Sequence, residues 1–313
     1  MSQSQMKGII DPLLTNVSSA YVPKGCIAET ILPMVKFSQY TGKLGGYGKN
    51  HLRVESSVVG GKGKYRRVDS IVRTTTGFEI EGHGLSGIVT KRDYKNVIDP
   101  FDAEKDEVMG LSTILMLEKE KGLADVLGNT SVITQNVTLS GTSQLSDYTN
   151  SDAISVLNAA KAAVRAGCGA VANTAIMDYD VAEILRYHPQ LLDMLGFKWQ
   201  KPGGLENSDL AKAIGVQKVL IADCKYNSAK EGQTAVLSNV WGKNILLAVV
   251  PDSAQKYQVA LGYDVRLDDG QPRKVYKQQL FNPPGANEIL VEDEYDVLLS
   301  DVTAAYLIKN AIA

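Results

Sequence analysis

Gly82-His83-Gly84-Leu85-Ser86-Gly87 has the G-x-G-x-x-G spelling of a dinucleotide-binding turn, in which glycines let the backbone approach a pyrophosphate at a helix N-terminus. That chemistry requires a helix opening directly after the glycines. Ile88-Val89-Thr90-Lys91-Arg92 does not read as a helix start, so no nucleotide site is expected. The pairs Gly42-Lys43, Gly61-Lys62, Gly63-Lys64 and Gly242-Lys243 lack the remaining residues of a phosphate loop. His51, His83 and His188 have no second ligand at metal spacing, and His188 before Pro189 reads as a structural residue at a helix end. Cys26, Cys168 and Cys224 are too scattered for a zinc site or a disulfide framework and read as buried thiols of a reducing compartment. There is no G-x-S-x-G elbow, and no Ser, Cys or Lys has a base near it in sequence. The expectation is a protein without catalytic residues, cofactor or metal, and not an enzyme.

The remaining chemical signal is charge. Lys62, Lys64, Arg66 and Arg67 follow Gly60-Gly61 in a flexible segment that reads either as a solvated loop or as a basic finger docking on an acidic neighbour. Acidic complements stand at Glu104, Asp106 and Glu107 and at Asp293, Glu294 and Asp296, and the choice among them is open. The element that would present the finger is a long β-hairpin between Met34 and Thr90, marked by Val54, Val58, Val59, Val68, Ile71, Val72 and Thr74-Thr75-Thr76. Such a ribbon cannot bury both of its faces alone, so it either stays loose in solvent or lies across another molecule. Before it, residues 1–32, punctuated by Pro12 and Pro23, read as an extended arm whose Leu13-Leu14 run docks on a neighbouring subunit.

At Asp99-Pro100-Phe101-Asp102 the pattern turns helical: Asp99 can cap, Pro100 suits the first position and Asp102 adds favourable charge. The helix is expected to run to Leu127 with Val108, Leu111, Leu115 and Leu123 on one face, and to end at Gly128. After a β-like stretch from Val132 to Leu139, Asp152 to Ala166 reads as an alanine-rich helix stopped by Gly167. A strand from Gly169 to Ile176, a helix from Tyr179 to Met194, a helical piece from Leu210 to Ile214, and strands Val216 to Ala222 and Ile245 to Val250 then alternate as in a compact α/β domain. From Tyr257 onward β character returns and is expected to complete the sheet beside the long helix.

The 313 residues are 44% hydrophobic and 22% charged, ordinary values for a globular protein with ample core. A net charge of -2 gives the whole molecule no electrostatic reason to seek nucleic acid or an anionic membrane, so any DNA contact is local or weak. No signal peptide or long apolar run is evident, which points to synthesis and use in cytoplasm.

Arm, hairpin loop, long helix, α/β domain and return to a sheet, in that order, resemble the tailed-phage major capsid fold, which encapsulins share. Gly60 to Asp69 looks like the extended loop of that family. Asp180-Val181, Leu185, His188-Pro189 and Leu192, then Gly215-Val216, Val219, Tyr226-Asn227 and Lys230-Glu231-Gly232, resemble its axial domain. Trp241-Gly242-Lys243 before Asn244 to Val250 resembles its re-entry strand. The resemblance implies an α+β chain divided into an N-terminal arm (1–32), an extended loop with its β stem (33–92), a peripheral domain with a spine helix (93–149), an α/β axial domain (150–253) and a return to the peripheral domain (254–313).

It also implies a virion protein, assembled in the host bacterial cytoplasm into pentamers and hexamers of an icosahedral head around double-stranded DNA. Lys62, Lys64, Arg66 and Arg67 on the loop and Leu13 and Leu14 on the arm would make inter-subunit contacts. The implied partners are copies of the chain itself, a portal, packaged DNA by non-specific contact and, because the arm begins at once, a separate scaffolding protein; a decoration protein can be accommodated, and no membrane is involved. Two other readings remain open: an encapsulin-type shell around a cargo enzyme, and a soluble α/β enzyme or binding protein.

Overall fold

The computed structural model describes residues 9–47, 54, 57–58, 65, 73–96, 102–196, 204–230, 232–253, 259–268 and 272–313. The first half contains β1 (Ile9–Ile10), α1 (Pro12–Ala20), α2 (Ala28–Ile31), β2 (Met34–Phe37), β3 (Thr41–Tyr47), β4 (Arg73–Glu79), β5 (Glu81–Val89), α3 (Lys91–Asn96), α4 (Ala103–Leu127), β6 (Asn136–Thr138) and α5 (Ala153–Cys168). The second contains β7 (Thr174–Asp178), α6 (Tyr179–Arg186), α7 (Pro189–Met194), α8 (Asn207–Ile214), β8 (Lys218–Ala222), β9 (Lys225–Asn227), β10 (Leu237–Asn239), β11 (Ile245–Ala248), β12 (Gly262–Leu267), β13 (Arg273–Leu280), β14 (Ala286–Leu299) and β15 (Ala305–Lys309).

The long helix forms as its leucine spacing requires, but its cap is Asp102, whose carboxylate accepts from the Glu104 N–H at 3.1 Å. Asp99 and Pro100, expected at the start, lie outside the described residues. Val108, Leu111 and Leu115 bury against Leu14, Val89, Val275, Ile289 and Val291, so the first half of α4 lies on a sheet ordered β1-β13-β14-β12-β2, with β5 also on β14. The second half turns Leu123, Ala124 and Leu127 toward a different sheet, ordered β6-β15-β11-β7-β8.

That second sheet is covered on both faces. Ile245 and Leu247 of β11 face Leu157, Ala160 and Val164 of α5, while Leu246 and Ala248 face the α4 side. A strand buried on both faces needs a continuous apolar run, and Ile245-Leu246-Leu247-Ala248 supplies one. Residues 254–313 do not all join the sheet under the first half of α4: β12 to β14 do, but β15 pairs between β11 and β6 in the second sheet. The α5 helix runs past Gly167 and stops at Gly169, which takes φ of 78° at the cap. The helix expected from Tyr179 to Met194 is two helices, parted at Tyr187-His188 because Pro189 cannot continue the α6 hydrogen-bond ladder and instead opens α7.

Asp178 ends β7 and caps α6, accepting from the Asp180 N–H at 3.2 Å and the Asn239 side-chain amide at 2.8 Å. Burial pushes its carboxyl up to about 6. The folded chain thus holds this proton more tightly than the unfolded one, so the contribution of Asp178 to stability falls as pH rises from about 4 to about 6. Asp178→Asn keeps the capping acceptor. It is expected to remove that slope and to raise stability at about pH 8 by roughly 1 kcal/mol, read from urea midpoints on either side of the window.

Candidate subunit-contact site

Asp11-Pro12 opens α1: the Asp11 carboxylate accepts from the Leu13 and Leu14 N–H groups at 3.0 and 3.1 Å, and Pro12 takes a first-turn position where its missing N–H costs nothing. Just before it, Ile9 and Ile10 pair with Lys277 and Tyr276 of β13. From Ile9 onward the arm is thus folded onto its own subunit, in contrast to the extended arm expected. Leu14 is buried among Val108, Leu111 and Val275, which overturns its expected role at an inter-subunit contact: its side chain is spent on the core of its own chain. Leu13 is 64% exposed and stays available. Leu14→Ala is expected to lower stability by about 2–4 kcal/mol, whereas Leu13→Asp leaves the denaturation midpoint unchanged and weakens only subunit association, measured by assembly yield.

The rest of the arm is clamped by polar contacts that no local pattern announces. Thr15 Oγ1 accepts from the Val275 N–H at 3.1 Å, and the hydroxyls of Ser18 and Ser112 meet at 2.8 Å. Arg273, 1% exposed, donates to the carbonyls of Ser18, Ser19 and Tyr21 at 3.1, 3.4 and 3.0 Å and pairs with Glu29 at 3.1 Å. Its guanidinium satisfies the carbonyls that the end of α1 leaves without helical partners. Glu120 of α4 accepts from the N–H groups of Ile27 and Ala28 at 2.9 and 2.6 Å and from the Trp241 indole at 2.5 Å. Burial pushes this carboxyl above its ordinary range while the three donors oppose the shift. One carboxylate thereby joins the arm, the long helix and the turn before β11.

Lys62, Lys64, Arg66 and Arg67 lie outside the described residues, as do Val59, Val68, Ile71 and Val72; Val54 and Val58 are described, exposed and not in a strand. The described stem is β3 against β4, antiparallel from Thr41 opposite Glu79 to Tyr47 opposite Arg73. Met34–Phe37 and Glu81–Val89 flank this hairpin and belong to the sheet under α4. Phe78 anchors the base, its ring centroid 4.6 Å from that of Phe37, beside Ile80, Tyr263, Val265 and Leu298. The Glu79 N–H donates to Asp296 and the Tyr40 hydroxyl to Glu294, both at 3.0 Å. Glu294 also pairs with Lys274 at 3.0 Å, Asp293 with Arg266 at 2.6 Å and Glu104 with Lys277 at 2.6 Å. Four of the six acidic complements are therefore engaged within their own subunit, while Asp106 stands exposed.

Between α4 and the sheet lies a buried chain of ions. Lys119 reaches Asp264 at 2.7 Å, and its ammonium sits 4.3 Å from the Tyr295 ring centroid. Arg266 sits between Asp264 at 3.1 Å and Asp293 at 2.6 Å, with Glu29 at 3.6 Å. Burial works against the Arg266 charge, but the two aspartates outweigh it and hold its pKa above the ordinary value. Burial likewise pushes the Asp293 carboxyl up, against the pull of Arg266. Among the described residues, no three of His, Cys, Asp or Glu are grouped so as to hold a metal ion.

No family model matches the sequence. The major capsid protein of Burkholderia phage BcepMu is 25% identical over 293 residues, 88% of this chain and 92% of that protein. A phage-related protein of Bordetella bronchiseptica superposes with a TM-score of 0.75 at 20% identity, covering 97% of this chain and 98% of that one. The capsid of cyanophage P-SCSP1u gives a TM-score of 0.60 at 10% identity over 99% of this chain and 92% of that one. The chain is similar in sequence to a phage major capsid protein and shares the fold of phage capsid subunits. Within this capsid fold the G-x-G-x-x-G glycines sit in the middle of β5, paired with β14 from Tyr295 to Asn287, and not in a turn. Contrary to expectation a helix, α3, does open at Lys91, but it follows the strand's end and not the glycines. A Cβ at Gly87 would meet the Glu107 carboxylate of α4. His188 is fully buried where α6 gives way to α7, with Nε2 3.1 Å from Ser151 Oγ.

Proposed function

We propose that the chain is the major capsid protein of a tailed phage, forming pentamers and hexamers of an icosahedral head around double-stranded DNA. The observation that carries this is the end-to-end match to a phage major capsid relative, 88% of this chain and 92% of that one. An encapsulin-type shell and a soluble α/β enzyme are not favoured by these relatives.

In this reading residues 1–32 are the arm, 33–92 the loop with its stem, 93–149 a peripheral domain with α4 as spine, and 150–253 the axial domain, to which β6 and β15 add strands from outside that span. The basic residues Lys62, Lys64, Arg66 and Arg67 and the exposed Leu13 contact neighbouring subunits. Copies of the chain are the main partner, joined by a separate scaffolding protein, a portal and non-specifically held DNA, with assembly in the host bacterial cytoplasm. Projections of this kind touch several neighbours at once, so weak contacts add through multivalency.

Velocity sedimentation of the chain co-expressed with its scaffolding partner tests the reading. Fast-sedimenting particles that protect double-stranded DNA when recovered from phage lysates are expected. A small discrete oligomer under the same conditions would overturn it, and particles filled with a protein cargo in place of DNA would turn it toward an encapsulin.

A further inference from the structure

Cys26 and Cys224 are 198 positions apart in sequence, yet their Sγ atoms lie 2.8 Å from each other. The backbone holds them there. The Asp223 N–H donates to the Gly25 carbonyl at 3.1 Å, and the Val240 N–H to the Cys224 carbonyl at 3.1 Å. Gly25 takes φ of 87°, and a Cβ on it would lie 2.5 Å from the Asp223 carbonyl oxygen, so only glycine lets the two segments approach this closely. Cys224 is buried and Cys26 half-buried, at the edge of the cluster containing Ala28, Tyr226 and Trp241. Cys168 is different: its thiol donates to the Val164 carbonyl of its own helix at 3.2 Å and is 2% exposed.

We propose that Cys26 and Cys224 form a two-thiol oxidation site that closes an intrachain disulfide on meeting a peroxide, stapling the segment between α1 and α2 to the turn between β8 and β9. The two sulfurs share one hydrogen bond in which either can be the donor; with Cys26 donating, the bond holds the Cys224 thiol below its ordinary pKa and makes Cys224 the nucleophile. Its thiolate attacks one oxygen of hydrogen peroxide: an S–O bond forms, the O–O bond breaks, and the departing hydroxide takes up the proton Cys224 released, giving water. The Cys26 sulfur then attacks the Cys224 sulfenic sulfur: the S–S bond forms, the S–O bond breaks, and the second hydroxide leaves with the Cys26 proton as water. Two thiols lose two electrons and two protons, and peroxide is reduced to two waters. The staple lands beside the Ile27 and Ala28 N–H groups held by Glu120, so it reinforces a contact already made and closes a very long loop of the unfolded chain.

The test is to treat the purified full-length chain with hydrogen peroxide, alkylate it under denaturing conditions, and read intact mass, peptide map and Tm. Loss of two hydrogens, a Cys26–Cys224 linked peptide, alkylation at Cys168 alone, and a Tm rise of about 5–10 °C that a thiol reductant reverses are expected. Cys26→Ser, treated identically, should stop at a Cys224 sulfenic acid trapped by a 1,3-diketone reagent, with no Tm rise. Wild-type protein that keeps all its thiols alkylatable after excess peroxide would overturn the proposal. So would a Tm rise of the same size in Cys26→Ser.

Discussion

Arg266→Ala is expected to cost about 3–5 kcal/mol of folding stability, because it leaves buried charge without its partner. Asp293 is 4% exposed and its carboxylate is paired with Arg266 at 2.6 Å, while Asp264 retains Lys119 at 2.7 Å. The loss therefore falls mainly on Asp293, which must take a proton or draw in water. Removing both members, Arg266→Met with Asp293→Asn, is expected to cost much less than the sum of the two single changes, since a neutral pair of similar volume carries no desolvation debt. Urea denaturation of the four proteins in the cycle gives the coupling. Additive single losses would show that Asp293 and Arg266 do not depend on each other.

Glutamate at all four of positions 62, 64, 66 and 67, replacing Lys62, Lys64, Arg66 and Arg67, is expected to leave the subunit folded and to weaken assembly at least about tenfold in the concentration required. The described part of the stem explains why folding is spared. Its anchoring lies at Phe78, Ile80, Glu79 and Tyr40, at the base of the hairpin and distant in sequence from the basic segment. Circular dichroism with Tm reports folding, and light scattering reports assembly. Normal shells of normal stability from this variant would remove the docking role.

The sequence disclosed α4, α5 and the strands β8 and β11 because each carries its period or apolar run within a few residues, whereas β7, expected from Gly169 to Ile176, runs from Thr174 to Asp178. It disclosed less where a signal is short or duplicated. Asp11-Pro12 is a cap and first-turn proline for α1, but nine residues mixed with Thr15, Asn16, Ser18 and Ser19 read as polar chain. Asp99 and Asp102 both suit a helix start, and the described helix uses Asp102. What could not be read locally are the meetings of distant residues. Glu120 with Trp241, Arg273 with the end of α1, Lys119 with Asp264, and Cys26 with Cys224 each join positions 100 or more apart, and no spacing rule reaches across such a distance. The same holds for Leu14: its apolar character was plain, but whether it faced a neighbour or its own helix depended on the arm folding back through β1 and α1.

Electron microscopy of the protein assembled with its scaffolding partner bears most directly on the claim that this chain builds a phage head. Closed icosahedral particles are expected, with subunits clustered in fives and sixes and residues 60–67 of each lying across an adjacent copy. A uniform small oligomer that never closes into a shell, with the scaffold present, would contradict it.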